Sequence, residues 1–242
     1  MKRYRDHLRP DPGAGPDAGA AAGPDAGLGA GPGGAWSLVV PLKPLALAKS
    51  RLAASVGGPL RGRLALAFAE DTVAAALGCP GVRDVAVVTD DPVAGAALAA
   101  LGARIVPDLP GAGLNAALAH GARAVRAERP GARVAALNAD LPALRPAELG
   151  LVLAVAGQFP RAFLADAAEI GTTFLSAAPG VELEPAFGGP SRRRHLSAGA
   201  VEIRLAGVDS VRRDVDTGDD LAAALALGVG PRTAARWARA AG

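Results

Sequence analysis

From residue 36 to residue 158, short apolar runs alternate with helical patterns, and this alternation limits the architecture more than any other feature of the chain. The runs at 36–42, 84–89, 103–106 and 133–137 are bounded by turn signals and read as buried strands. Helical patterns occupy 58–77, 92–101, 114–129 and 146–155, the last opened by Pro146 and Glu148 as helix starts prefer. Strand, helix, strand with short connections demands parallel pairing, so the expected class is an α/β sandwich. Right-handed crossovers then gather the loops that follow the strands along one edge, where such sheets hold ligands. After residue 158 the rhythm changes. Strands are expected at 161–164, 172–177 and 201–205, a short helix at 219–227 and a last helix at 231–241, with irregular loops between them. A parallel first half and a mixed second half fit one domain over 36–242. From Pro10 to Ala35 every residue except Leu28 is Pro, Asp, Gly or Ala. Such a segment buries too little apolar surface to offset its ordering entropy, so 1–35 reads as a disordered extension.

Composition narrows the class further. Half of the residues are hydrophobic but only 3% are aromatic, so the core is built from Ala, Leu and Val. The single cysteine, Cys79, excludes a disulfide framework and a Cys-built zinc site and reads as a small buried residue. No apolar run approaches the ~18 residues of a membrane span. The basic N-terminus has no apolar segment behind it, so no signal peptide is expected and the cytoplasm is the expected location. The net charge of +3 is small and partly carried by Lys2, Arg3, Arg5 and Arg9. With stacking aromatics also scarce, nucleic acid is disfavoured as a partner.

In a chain this poor in lysine and asparagine, the places where they occur are informative. Of three lysines, Lys43 and Lys49 lie six apart directly after the first strand, in Pro41-Leu-Lys43-Pro-Leu-Ala-Leu-Ala-Lys49-Ser50-Arg51-Leu52. Three cations and a hydroxyl at a strand end could cradle a polyphosphate, or could be a solvated loop. The segment is neither a GxxxxGK[ST] loop nor a GxGxxG turn, which disfavours an ordinary P-loop ATPase and a dinucleotide oxidoreductase. The two asparagines are Asn115 and Asn138. Asn138-Ala-Asp140-Leu-Pro142 places a carboxylate just past the fourth strand, fit for Mg²⁺ alongside substrate phosphates, or for a turn. In Asp214-Val-Asp216-Thr-Gly-Asp-Asp220, alternation throws Asp214 and Asp216 to one face, where they repel unless a cation lies between them. Thr217, Asp219 and Asp220 suit a helix start instead. A fourth set, Gly171-Thr172-Thr173 with Phe187-Gly188-Gly189-Pro190-Ser191-Arg192-Arg193-Arg194-His195, offers hydroxyls and exposed amides for an anion. Three consecutive arginines cannot all face one ligand. His195 is readable as a base but better as a loop or cap histidine.

In this order the motifs K-P-L-A-L-A-K-S-R-L, G-L-N-A-A-L, A-D-L-P-A-L, G-T-T with F-G-G-P-S, and D-V-D-T resemble those of the CofC/FbiD family, the phosphoenolpyruvate or 2-phospho-L-lactate guanylyltransferases of deazaflavin coenzyme F-420 biosynthesis. The resemblance covers nearly all of 36–230. It implies a MobA-like nucleotidyltransferase with a Rossmann-like three-layer sandwich and a mixed, mostly parallel sheet of the nucleotide-diphospho-sugar transferase type. It further implies that Lys43, Lys49 and Arg51 hold the GTP phosphates with Asn115 in the nucleotide pocket, and that Asp140, Asp214 and Asp216 bind Mg²⁺. Thr172, Gly188 and Ser191 match the family's acceptor-binding positions, and Lys43, Lys49 and Asp140 form the implied catalytic set. Partners would be GTP and a phosphorylated three-carbon acid, with no nucleic acid or membrane and a homodimer left open. The chain lacks the glycine-rich first loop of MobA-like relatives, which disfavours molybdopterin guanylyltransfer. A related transferase with another acceptor, and a non-catalytic nucleotide binder of the same fold, are the competing expectations.

Overall fold

The structure is a computed structural model that describes residues 35–49, 52, 56–109 and 111–241. The extension read at 1–35 therefore lies, apart from Ala35, outside the described residues, as does Arg51.

The expected alternation is present. Strands β1 (Trp36–Pro41), β2 (Val82–Val88), β3 (Arg104–Val106) and β4 (Arg133–Leu137) alternate with helices α1 (Gly58–Leu77), α2 (Pro92–Ala100), α3 (Leu114–Glu128) and α4 (Pro146–Ala156). Strands β5 (Arg161–Ala165), β6 (Thr172–Ala177) and β7 (Val201–Glu202) follow. The seven strands form one sheet in the order β3-β2-β1-β4-β6-β5-β7. β1 pairs in parallel with β2 and β4, while β6 runs antiparallel to both of its neighbours, β4 and β5. The reversed strand makes the sheet mixed, and because it runs backwards its first residue, Thr172, lies on the same edge as the C-terminal ends of β1 and β4.

Both faces of the sheet are covered. Along β1, Leu38 and Val40 join a core layer with Ala69, Val73, Leu98 and Leu149 from α1, α2 and α4, while Val39 joins the opposite layer with Leu118, Ala122 and Val125 from α3. β2 and β4 alternate in the same way. Two buried faces explain why these strands are continuously apolar rather than alternating with polar residues. Helix α3 approaches the sheet closely. A Cβ on Gly121 would lie 2.5 Å from Val39 Cγ1 and 2.7 Å from Val88 Cγ2, so only glycine fits without displacement.

Two helices and one strand depart from the expectation. α5 (Ser191–Ser197) and α6 (Asp209–Arg212) occupy stretches that the apolar pattern reads as irregular, and the expected strand at 201–205 shrinks to two residues. Both helices are shorter than two and a half turns, too brief to show an apolar period in the sequence. α7 (Gly218–Leu227) starts one residue early, capped by Thr217, whose hydroxyl accepts from the Asp220 amide while the Asp220 carboxylate accepts from the Thr217 amide. α8 (Pro231–Ala241) follows, its entry held by the Asp71 carboxylate, which accepts from the amides of Arg232 and Thr233. Among the described residues no helix is long and apolar enough to cross a membrane.

A third, smaller core cluster joins two loops. Leu52 packs with Leu64 and Phe68 of α1, with Val215, and with Leu221 and Ala224 of α7. It clamps the segment after β1 against the segment before α7.

Candidate functional site

The C-terminal edge of the sheet opens into a cleft of roughly 680 Å³. Its floor is ionic. Lys49 comes from the turn after β1, Asp140 from the loop after β4, and Asp214 and Asp216 from the extended segment before α7. Leu52 and Val215, each near these residues in sequence, are fully buried in the same cluster and bring the two segments together. The Val215 amide donates to the Asp140 carbonyl (3.0 Å), which registers the two acidic segments against each other. Because Val215 points into that core, Asp214 and Asp216 on either side of it turn toward the cleft, as the alternation predicts.

The Lys49 ammonium bridges two of these carboxylates. It donates to Asp140 Oδ2, and to Asp216 Oδ1 at 2.7 Å. Burial opposes its charge, but Asp140 and Asp216 outweigh burial and raise its pKa above the ordinary lysine value. Asp214 lies behind them, where Asn138 Nδ2 donates to its Oδ2 at 3.4 Å. Burial first, then the charges of Asp140, Asp216 and Asp166, push the Asp214 carboxyl up to about 8. The floor thus holds more negative charge than one lysine neutralises.

The loop that carries the lysines is fastened from beneath. Arg61 of α1 donates to the carbonyls of Ala46 and Ala48, both at 2.7 Å, and Asp91, the cap of α2, accepts from the Leu45 amide at 2.8 Å. Lys49 itself takes a left-handed conformation (φ 56°), which turns its side chain inward. Lys43 is exposed and lines the cleft. Asp140 is set by Thr72 of α1, whose hydroxyl donates to the Phe68 carbonyl and accepts from the Leu141 amide.

The opposite wall is neutral and built on hydrogen bonds. Thr172, Gly188, Gly189 and Ser191 line it. Gly188 (φ 91°) and Gly189 (φ 47°) lie in the left-handed region and let the backbone turn at the cleft without side chains intervening. Thr172 Oγ1 lies 3.0 Å from His195 Nδ1, and His195 Nε2 accepts from the Ala186 amide at 3.0 Å. Ser191 Oγ is buried with no hydrogen-bond partner among the described residues.

Of the residues expected from sequence, Lys43, Lys49, Asp140, Asp214, Asp216, Thr172, Gly188 and Ser191 all line this one cleft. Asn115 does not. Its amide oxygen accepts from the Phe187 amide at 2.8 Å and its amide nitrogen donates to the Phe187 carbonyl at 3.2 Å, so the side chain is spent on fastening the glycine loop. None of the three consecutive arginines lines the cleft either. Arg192 pairs with Glu202, Arg193 is exposed, and Arg194 donates to the carbonyls of Ala186, Phe187 and Gly188. Arg61, Asp91 and Thr72 carry no signal in the sequence, because nothing in their local pattern betrays a bond to backbone so distant in the chain. Asp166 lines the cleft, but its carboxylate accepts from the amides of Ile170 and Gly171.

Whether the floor suits a divalent cation depends on its donors. They are hard carboxylate oxygens, the kind Mg²⁺ prefers, and Asp140 Oδ1 is buried with no hydrogen-bond partner among the described residues. Among those residues no three acidic, histidine or cysteine side chains close into a ready-made metal cage. That arrangement fits an ion held by one or two carboxylates and completed by phosphate oxygens.

Comparison with known proteins gives a consistent result. The family model for the MobA-like NTP transferase domain matches residues 59–212. A phosphoenolpyruvate guanylyltransferase of Streptomyces coelicolor is 72% identical over 204 residues, covering 84% of this chain and 96% of that protein. One of Thermomonospora curvata is 63% identical over 204 residues, covering 84% of this chain and 89% of that protein. In fold, the chain is similar to a nucleotidyl transferase from Methanothermobacter thermautotroptrophicus (TM-score 0.57, 23% identity, 80% of this chain and 97% of that one). It is equally similar to a structure from Desulfovibrio desulfuricans G20 named for a nucleotide-diphospho-sugar transferase (TM-score 0.57, 17% identity, 76% and 84%).

Proposed function

We propose, from the premise that this chain belongs to the MobA-like NTP transferase family, that it transfers GMP from GTP to the phosphate of phosphoenolpyruvate and releases pyrophosphate. The chain is a nucleotidyltransferase; the acceptor, the guanine donor and the ion are the proposal. The observation that carries it is the Lys49 ammonium held between Asp140 and Asp216, facing a neutral wall of hydroxyls and glycine backbone across one cleft. One side is equipped for a triphosphate and its counterion, the other for a small anionic acid. The close relatives named phosphoenolpyruvate guanylyltransferase support phosphoenolpyruvate over 2-phospho-L-lactate. The resemblance to the CofC/FbiD family supports coenzyme F-420 assembly as the product's destination.

A phosphate acceptor is already ionised at pH 7, so the reaction needs no general base, and no Ser-His-Asp or Cys-His set is required. What remains is positioning and charge neutralisation. Lys49 and Lys43 neutralise the triphosphate and draw charge from the departing pyrophosphate. Thr172, Ser191 and the Gly188 backbone hold the acceptor so that its phosphate oxygen faces the α-phosphorus in line. Asp140, Asp214 and Asp216 would supply the one or two carboxylates that hold Mg²⁺, and the ion would supply positive charge to offset that of the displacement.

The test supplies GTP and Mg²⁺ with phosphoenolpyruvate, 2-phospho-L-lactate and 3-phosphoglycerate in turn and reads pyrophosphate. Release with phosphoenolpyruvate well above the others supports the proposal. Pyrophosphate from none of them, or equal release with ATP, overturns it.

A further inference from the structure

Among the described residues His195 is the one buried histidine, and the partners of its two ring nitrogens together fix where its proton sits. A backbone N–H can only donate. The Ala186 amide lies 3.0 Å from His195 Nε2, so Nε2 carries a lone pair. The ring is buried between Phe163 and Phe187, with centroid separations of 5.6 and 5.3 Å. Burial first, then the nearby charges of Arg194 and Arg161, lower its pKa to about 4, so it is neutral at pH 7. The proton of the neutral ring is then on Nδ1, 3.0 Å from Thr172 Oγ1, and the ring donates to that oxygen.

The consequence falls on Thr172. A hydroxyl that accepts from the ring keeps its own O–H to give. Among the described residues Thr172 Oγ1 makes no other hydrogen bond, and Thr172 lines the cleft with Ser191, whose buried Oγ has no partner among those residues. With the opposite tautomer, Thr172 would spend its proton on Nδ1 and turn only lone pairs toward the cleft. That would repel an anion rather than bind one.

We propose that His195 is a positioning residue whose Nδ1–H holds the Thr172 hydroxyl as a donor aimed into the cleft, at an anionic oxygen of the acceptor acid. This rests on the acceptor reading above, but the state of the ring is measurable without it. His195 does not touch the acceptor; it acts through Thr172.

The experiment has two arms on the full chain. ¹⁵N NMR of histidine-labelled protein should show His195 protonated at Nδ1 and bare at Nε2; a proton on Nε2 overturns the proposal. The second arm compares two amides. Asparagine places its amide near Nδ1 and can still donate to Thr172, whereas glutamine places its amide near Nε2 and serves only Ala186. His195→Gln should raise the KM for the acceptor about tenfold with the KM for GTP unchanged, and His195→Asn should stay within about threefold of the parent. Thr172→Val should match His195→Gln, and combining the two should add little. Equal impairment of the Asn and Gln variants, or a GTP KM that moves in step with that of the acceptor, overturns the proposal. A parent protein that turns over no three-carbon acceptor would sink the functional reading, and the NMR arm would still decide the tautomer.

Discussion

The two walls of the cleft are built from different physics. On the lysine side, four carboxylates gather around the Lys49 ammonium, and attraction to it is set against their mutual repulsion. On the hydroxyl side the polar contacts that shape the wall are hydrogen bonds: the Thr172–His195 pair, and side chains on backbone, Asn115 on Phe187, His195 on Ala186, Arg194 on three carbonyls. A charged wall can follow a ligand whose own charge changes during reaction. A hydrogen-bonded wall has one geometry and selects by shape. Substitutions on the first side should therefore act on turnover and nucleotide, and those on the second on the acceptor.

The sharpest way to break this division is Asp140→Asn. It removes charge from the floor while keeping the side chain's shape, so pyrophosphate release should fall on the order of 100- to 1,000-fold while the circular dichroism spectrum stays that of the parent. Lys49→Ala should raise the KM for GTP about tenfold and leave that of the acceptor alone; an acceptor KM that rises equally would mean the walls are not separate. Asn115→Ala probes the other side. It leaves the Phe187 amide without its partner, and the expected result is an acceptor KM raised about fivefold at constant GTP KM.

A smaller effect concerns pH in the presence of a chelator. The folded chain holds Asp214 protonated up to about 8, whereas the unfolded chain releases that proton near the ordinary carboxylate value of 3.8. The folded state therefore binds more protons between those limits, and its stability should decline as pH rises from about 4 to about 8. Thermal melts at pH 5 and pH 8 check the sign, and Asp214→Asn should flatten the dependence. Smallest of all, deleting residues 1–34 should leave kcat and both KM values unchanged; a marked loss would give that segment a part in the site.

How much of this was legible in the sequence differs by wall as well. The strand and helix alternation of 36–156 could be read because each run is long enough to show its period. The acidic floor could be read because Asp214 and Asp216 flank an apolar residue, and because a carboxylate directly follows a strand at Asp140. The helices α5 and α6 could not, being only seven and four residues long and rich in arginine. Nor could the fastening of the loops. Asn115 stood out by rarity, yet its partner lies 72 residues away and is a backbone amide, which has no sequence signature. The same holds for Arg61 on the carbonyls of Ala46 and Ala48, and for Asp91 on the Leu45 amide. Side chains that bond to main chain are invisible until the fold is known, because any residue can supply the other half of the bond.

Gly121 exerts a similar hidden influence from the interior. Helix α3 rests on Val39 and Val88 with no room for a methyl group, and Asn115 stands at the start of that same helix, within two turns of the contact. An alanine at 121 would lift the helix off the sheet and carry Asn115 with it, loosening the grip on Phe187 and the two glycines that follow. The fine shape of the cleft's neutral wall is thus set partly by a hydrogen atom in the apolar layer, away from the cleft itself.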